Sequence, residues 1–193
     1  SFYPNRQINA GEGGALICKL ESDFSRAIKL RRYGIDLHTF RTSDGEINPA
    51  SDIPEIGWGA TLNNLCSAMG LVQVDTVQSR IELTRKVAQT YLKALSGHTD
   101  IISINPLEYA DPSFWVYIVR TKKQAQLLQF LKQAGIACSK LHQLNTVYSG
   151  FNTSDVHVPG AVQFMNELVC IPCGWWMNEE QVQYVITRLN EFT

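Results

Sequence analysis

Apolar residues recur at the spacing of one helical face through the middle of the chain. Leu62, Leu65, Cys66 and Met69 are followed by Val77, Ile81, Thr84, Val87, Tyr91 and Leu95, and Gly97 stops the run. Thr84 is the weak member of the stripe. The pattern predicts one long or kinked helix joining two lobes. Before it, Ala15 to Leu20 reads as a strand. Ser22 or Asp23 can then cap a helix whose apolar face carries Phe24, Ala27 and Ile28 and which Gly34 ends. The polar stretch 41–54, with Gly45, Pro49 and Pro54, reads as a loop.

After the central stripe the periodicity changes. Phe114 to Thr121 is aromatic and β-branched, which predicts a strand. Thr121 and Gln124 have capping-box spacing, with Leu127, Leu128, Leu131 and Ala134 as a buried stripe and Gly135 past its end. Leu168 to Cys173 reads as a buried strand. Asn178 can cap a last helix in which Val182, Val185, Ile186 and Leu189 share one face. The fold class expected is α/β. The boundary is expected near 96–99, before the apolar Ile101 to Ile104, giving domains 1–96 and 97–193. No internal repeat or low-complexity tract interrupts either.

Composition narrows the function classes. With 45% hydrophobic and 18% charged residues and a formal net charge of −1, the chain has the make-up of a packed globular protein. It has no electrostatic footprint for nucleic acid or an anionic membrane. No apolar run is long enough to span a bilayer and no charged-then-apolar leader opens the sequence, so the compartment expected is the cytoplasm. Five cysteines, an odd number, argue against a disulfide framework. Cys170 and Cys173 have zinc-ligand spacing, and Cys138 and His142 could complete a set of four. The competing reading is structural packing within the apolar run. The acidic residues form no close pair of the kind glycoside hydrolysis uses, and Arg26, Lys29, Arg31 and Arg32 read as a solvated helix face.

The first fourteen residues carry the most specific signal. Ser1-Phe2, three variable residues, Arg6, and then Gly11-Glu12-Gly13-Gly14 resemble the segment S-F-x-x-x-K-x-x-T-T-G-E-G-G of the DegT/DnrJ/StrS sugar aminotransferases. Further matches follow in order: Tyr33-Gly34-Ile35-Asp36, then Asp52 to Trp58, then Leu62-Asn63-Asn64 through Leu71. Lys140 to Asn145 and Cys170 to Trp176 resemble the V-H-x-R-N-D and I-P-C-G-W-W runs of one branch. The resemblance implies the end of an aspartate-aminotransferase-like large domain, a long interdomain helix and a small C-terminal α/β domain. It also implies pyridoxal 5'-phosphate as cofactor, a nucleotide-linked keto-sugar and an amine donor as substrates, and a homodimer or larger oligomer. The family's first half of the large domain has no counterpart here, and the chain opens at Ser1 in mid-motif, so a fragment of a longer protein is expected. Such a half-domain would expose apolar surface.

Arg6 stands where the family carries the lysine that holds the cofactor as an imine. That lysine must lose its proton to attack, and later carries a proton between the substrate and the cofactor. A guanidinium keeps its charge at any accessible pH and is a poor nucleophile and base. Arg6 is therefore expected to abolish normal turnover while remaining able to pair with the cofactor phosphate. Ser1 corresponds to the family serine that hydrogen-bonds this phosphate. The loop Gly57 to Leu62 lacks the family asparagine that reaches the partner's phosphate; Thr61 can donate a hydroxyl there, or can instead cap the long helix. His142 and Asn145 correspond to the substrate side, although a histidine at a strand end also suits a structural role. Trp175 and Trp176 are expected to serve core or interface packing rather than to stack on a sugar. Two classes of function remain: part of a sugar aminotransferase, or a non-catalytic relative that binds a partner or ligand on the same scaffold.

Overall fold

The computed structural model of the chain describes residues 1–151 and 156–193. It divides into two compact units, Ser1–Asp75 and Thr76–Thr193.

The first unit contains α1 (Glu21–Leu30), α2 (Asn64–Leu71) and the first residues of α3 (Val74–Ala94). Ala15 to Leu20 forms no strand; Leu16 and Ile17 are exposed. A strand needs a partner ladder for its amide and carbonyl groups, and none of the described residues offers one. Helix α1 starts at Glu21, before the expected caps, with Leu20 at the N-cap and no side-chain cap bond. None of its residues is buried, and Phe24 is exposed. What fixes this unit is close backbone packing. The end of α1 meets the 53–60 segment through Trp58 N to Leu30 O at 2.7 Å and Tyr33 N to Trp58 O at 3.0 Å. A Cβ on Gly34, at φ +81°, would overlap the Glu55 carbonyl, and one on Gly57 would overlap the Gly34 amide and Leu30 carbonyl. Both glycines lie in the motifs that carry the family resemblance.

The central stripe forms two helices, α2 and α3, interrupted at Val72 and Gln73. Gln73 holds the break, its amide donating to Asn9 O and Met69 O, both at 2.6 Å.

The second unit owns nearly all of the hydrophobic core. Three strands, β1 (Ile102–Ser103), β2 (Tyr117–Arg120) and β3 (Leu168–Ile171), form an antiparallel sheet in the order β1-β2-β3, with Tyr117 opposite Ile171 and Val119 opposite Val169. Helices α3, α4 (Gln124–Gln133) and α6 (Glu179–Glu191) bury Val87, Tyr91, Leu127, Leu131, Val185 and Leu189 with these strands, and α5 (Pro159–Glu167) leads into β3. Because the apolar face of α3 lies in this core, the compact units meet at Asp75 and Thr76 rather than at the expected 96–97. Thr84, the weak member of the stripe, is buried and satisfied, its hydroxyl donating to Arg80 O at 2.8 Å.

Two expected caps came out differently. Asn178 forms a full capping box with Gln181. Thr121 and Gln124 do not: Lys123 is the N-cap, Thr121 Oγ1 accepts from Lys123 N at 3.1 Å, and the Gln124 amide donates to Met165 O and Leu168 O. Those two carbonyls lie at the end of α5 and the start of β3.

Candidate cofactor and substrate site

In the first unit, residues 1–14 close on themselves. Phe2 N donates to Gly13 O and Ala10 N to Phe2 O, both at 2.9 Å, and Arg6 N donates to Tyr3 O at 3.0 Å. Gly11 and Gly13, at φ +79° and +98°, make the turns that bring the ends together, and Ala10 is fully buried beneath them. Arg6 is half-buried, with one guanidinium nitrogen donating to Asn5 Oδ1 at 3.0 Å. Ser1 is exposed, its hydroxyl accepting from Tyr3 N at 3.3 Å and its backbone beside Gly14. The Leu62 side chain lies against Gly13. The Thr61 hydroxyl points to Arg31 O at 3.5 Å. It does not cap α2: the helix starts at Asn64, and Asn63 Oδ1 accepts from Cys66 N at 2.9 Å instead.

Ser1, Arg6 and Thr61 are hydroxyl and guanidinium donors, the chemistry an anionic phosphate asks for. An imine asks for a deprotonatable primary amine, and no lysine occurs between Ser1 and Gly14. The residues present fit the phosphate end of a pyridoxal phosphate and not its covalent attachment.

The substrate-side candidates lie in the second unit. Ser139 forms an antiparallel bridge with Cys170 beside β3. The chain then turns through Leu141, at φ +54°, a conformation that strains a residue with a branched side chain. His142 follows, exposed, with its ring centroid 6.1 Å from that of Trp115, and its amide donates to Lys140 O at 2.7 Å. Asn145, also exposed, opens a 3-10 turn, Asn145–Val147. The structure therefore presents His142 and Asn145 on one short segment held out by strained backbone. Sequence periodicity carries no signal for that strain.

Cys170 and Cys173 are buried, and desolvation pushes their thiols up to about 11 and about 12. Cys173 Sγ lies 3.6 Å from Thr84 O. Among the described residues no group of three or more His, Cys, Asp or Glu is placed to hold a metal ion. Trp175 and Trp176 are not core: they pack edge to face at 6.0 Å on the surface, with Arg80 over the Trp175 ring at 4.6 Å. No described helix is long and apolar enough to cross a membrane.

The family model described as DegT/DnrJ/EryC1/StrS aminotransferase matches residues 1–190. The chain belongs to this family. A pleiotropic regulatory protein of Geobacillus stearothermophilus is 25% identical, and the GDP-perosamine synthase of Escherichia coli O157:H7 is 20% identical, each match covering all of this chain and 50% of the relative. Among solved structures of the family's fold, AtS13 from Actinomadura melliaura superposes with a TM-score of 0.88 at 27% identity, over 100% of this chain and 50% of that one. The chain thus spans about half the length of the relatives it matches. Gly13, Gly34 and Gly57 all sit where an added side chain would collide with its surroundings.

Proposed function

We propose that this chain contributes the lysine loop and the small domain of a sugar aminotransferase, with arginine in the lysine position. In this reading the whole protein binds pyridoxal phosphate and a nucleotide-linked keto-sugar, takes its amino group from an amine donor, and works as a homodimer in the cytoplasm. Arg6 would hold the cofactor phosphate with Ser1 and Thr61, and His142 and Asn145 would face the sugar. The observation that carries the proposal is the closed loop 1–14 with Arg6 in it; in this reading a permanent cation stands where a removable proton is needed. When bound, the cofactor supplies the electron sink for moving an amino group; Arg6 can orient its phosphate but cannot move a proton. The consequence is binding without turnover.

A second reading, a non-catalytic scaffold, draws support from Arg6 itself and from a relative named for regulation rather than catalysis. Absorbance with added pyridoxal phosphate, before and after Arg6→Lys, separates the two. A band near roughly 420 nm in the lysine variant alone supports a silenced aminotransferase site. Its absence from both proteins favours the scaffold.

A further inference from the structure

Three elements of the second unit converge on one side chain outside the site described above. His98 follows Gly97, whose φ of +81° ends the run of α3, and its ring is half-buried. Nδ1 lies 3.2 Å from Asp100 N and 3.1 Å from Ile101 N, at the entry to β1. Nε2 lies 3.2 Å from Leu189 O, in the last turn of α6. Two backbone N–H groups aimed at Nδ1 require a lone pair there, and a carbonyl opposite Nε2 requires a proton there. These three groups select one neutral tautomer, protonated at Nε2 only.

We propose that His98 is an acid-sensitive latch joining the end of α3, the start of β1 and the end of α6. A proton added at Nδ1 would meet two donors already pointed at it. Both N–H bonds would be lost, and Ile101, which is buried, would be left with an unpaired amide. Leu189 O also accepts from Phe192 N at 3.2 Å, so the ring shares this carbonyl with the C-cap of α6. Of the charged groups on the elements packed against it, Lys93 lies in the last turn of α3, and the residues at or beside the ring's backbone partners are paired. Asp100 is bound to Lys123 at 3.1 Å, and Arg188 to Glu191 at 2.7 Å. Neither pair places an unmatched carboxylate to stabilise an imidazolium. Acid should therefore loosen the join between sheet edge and terminal helix before it unfolds the remaining core.

The test uses the full chain. Long-range ¹H–¹⁵N spectra of the imidazole should show the Nε2–H tautomer at about pH 7.5, and hydrogen-exchange protection of the Ile101 amide, corrected for intrinsic rate, should fall about tenfold on going to about pH 5. His98→Asn offers a non-titrating acceptor close to the Nδ1 position and should keep Ile101 protected at both pH values. The other histidines, His38, His142 and His157, are exposed and remain in this variant, so they act as an internal control. An Nδ1–H tautomer, or protection of Ile101 in the wild-type chain that does not change with pH, overturns the latch. So does an identical pH response in His98→Asn; if that variant does not fold, the tautomer and exchange measurements on the wild-type chain still decide.

Discussion

Residues 1–75 and 76–193 have similar shares of apolar side chains yet use them differently. Among the described residues, Ala10 is the only buried hydrophobic residue of the first unit; Val87, Tyr91, Val119, Leu131, Val169, Leu189 and the other buried ones belong to the second. The first unit instead exposes Leu16, Ile17, Ile56, Leu65 and Leu71. Its shape depends on glycine contacts, backbone hydrogen bonds and surface ion pairs such as Lys29 with Asp36 at 2.8 Å. Ion pairs of that kind contribute little. The lesson is that a family fold can be recognisable over a whole chain while only part of that chain contains the burial that stabilises it.

The largest expected effect lies in side-chain truncation. Leu131→Ala removes a fully buried side chain from the core and should lower unfolding stability by about 2–5 kcal/mol, measured by denaturant titration. Ile17→Ala removes a side chain left 92% exposed and should change stability by less than about 0.5 kcal/mol. Equal losses at the two positions would mean that Ile17 is covered in solution, and the contrast between the units would disappear.

A smaller effect, with the opposite bias, is expected at glycine. Gly34→Ala introduces a Cβ against the Glu55 carbonyl at a positive φ, and should cost more than about 1 kcal/mol or shift the α1 to 53–60 packing. Gly135→Ala, also at positive φ but in open space, should cost about 1 kcal/mol and leave α4 in place. Amide chemical shifts of residues 53–60 would report the first change. If these shifts stay unchanged in Gly34→Ala, the first unit is not organised by its backbone contacts.

The same contrast decides what the sequence could reveal. In the second unit local pattern and final burial agree. The stripe of α6, its Asn178 cap and the buried run Leu168 to Cys173 were all readable, because the partners that bury them lie in the same unit. In the first unit Ala15 to Leu20 has a strand's composition and, among the described residues, no strand beside it, and no residue of α1 is buried. Propensity there was overruled by the lack of tertiary partners. The candidate site was legible only as motifs. Arg6, Ser1 and Thr61 were assigned by resemblance, and Gly11 and Gly13 allow the turns that close loop 1–14, whereas the strain at Leu141 depends on backbone geometry that residue types do not encode. For Trp175 and Trp176, expected in the core or at an interface, the surface position removes the first alternative.

Cysteine chemistry gives the finest test of the contrast. Burial raises the folded-state values of Cys170 and Cys173 to about 11 and about 12, from an ordinary 9.0. A folded value above the unfolded one means that this contribution is complete below the unfolded value and is lost as pH rises, because the unfolded chain releases protons that the folded chain retains. Denaturation midpoints should thus be flat with respect to these thiols near neutrality and decline above about pH 9. Thiol-reactive dye at about pH 8 should modify the half-exposed Cys18 and Cys66 of the first unit quickly, and Cys170 and Cys173 only as the second unit opens. Prompt labelling of Cys173 in the native protein would show that the second unit opens as readily as the first. The energetic difference between them would then be one of static packing and not of stability.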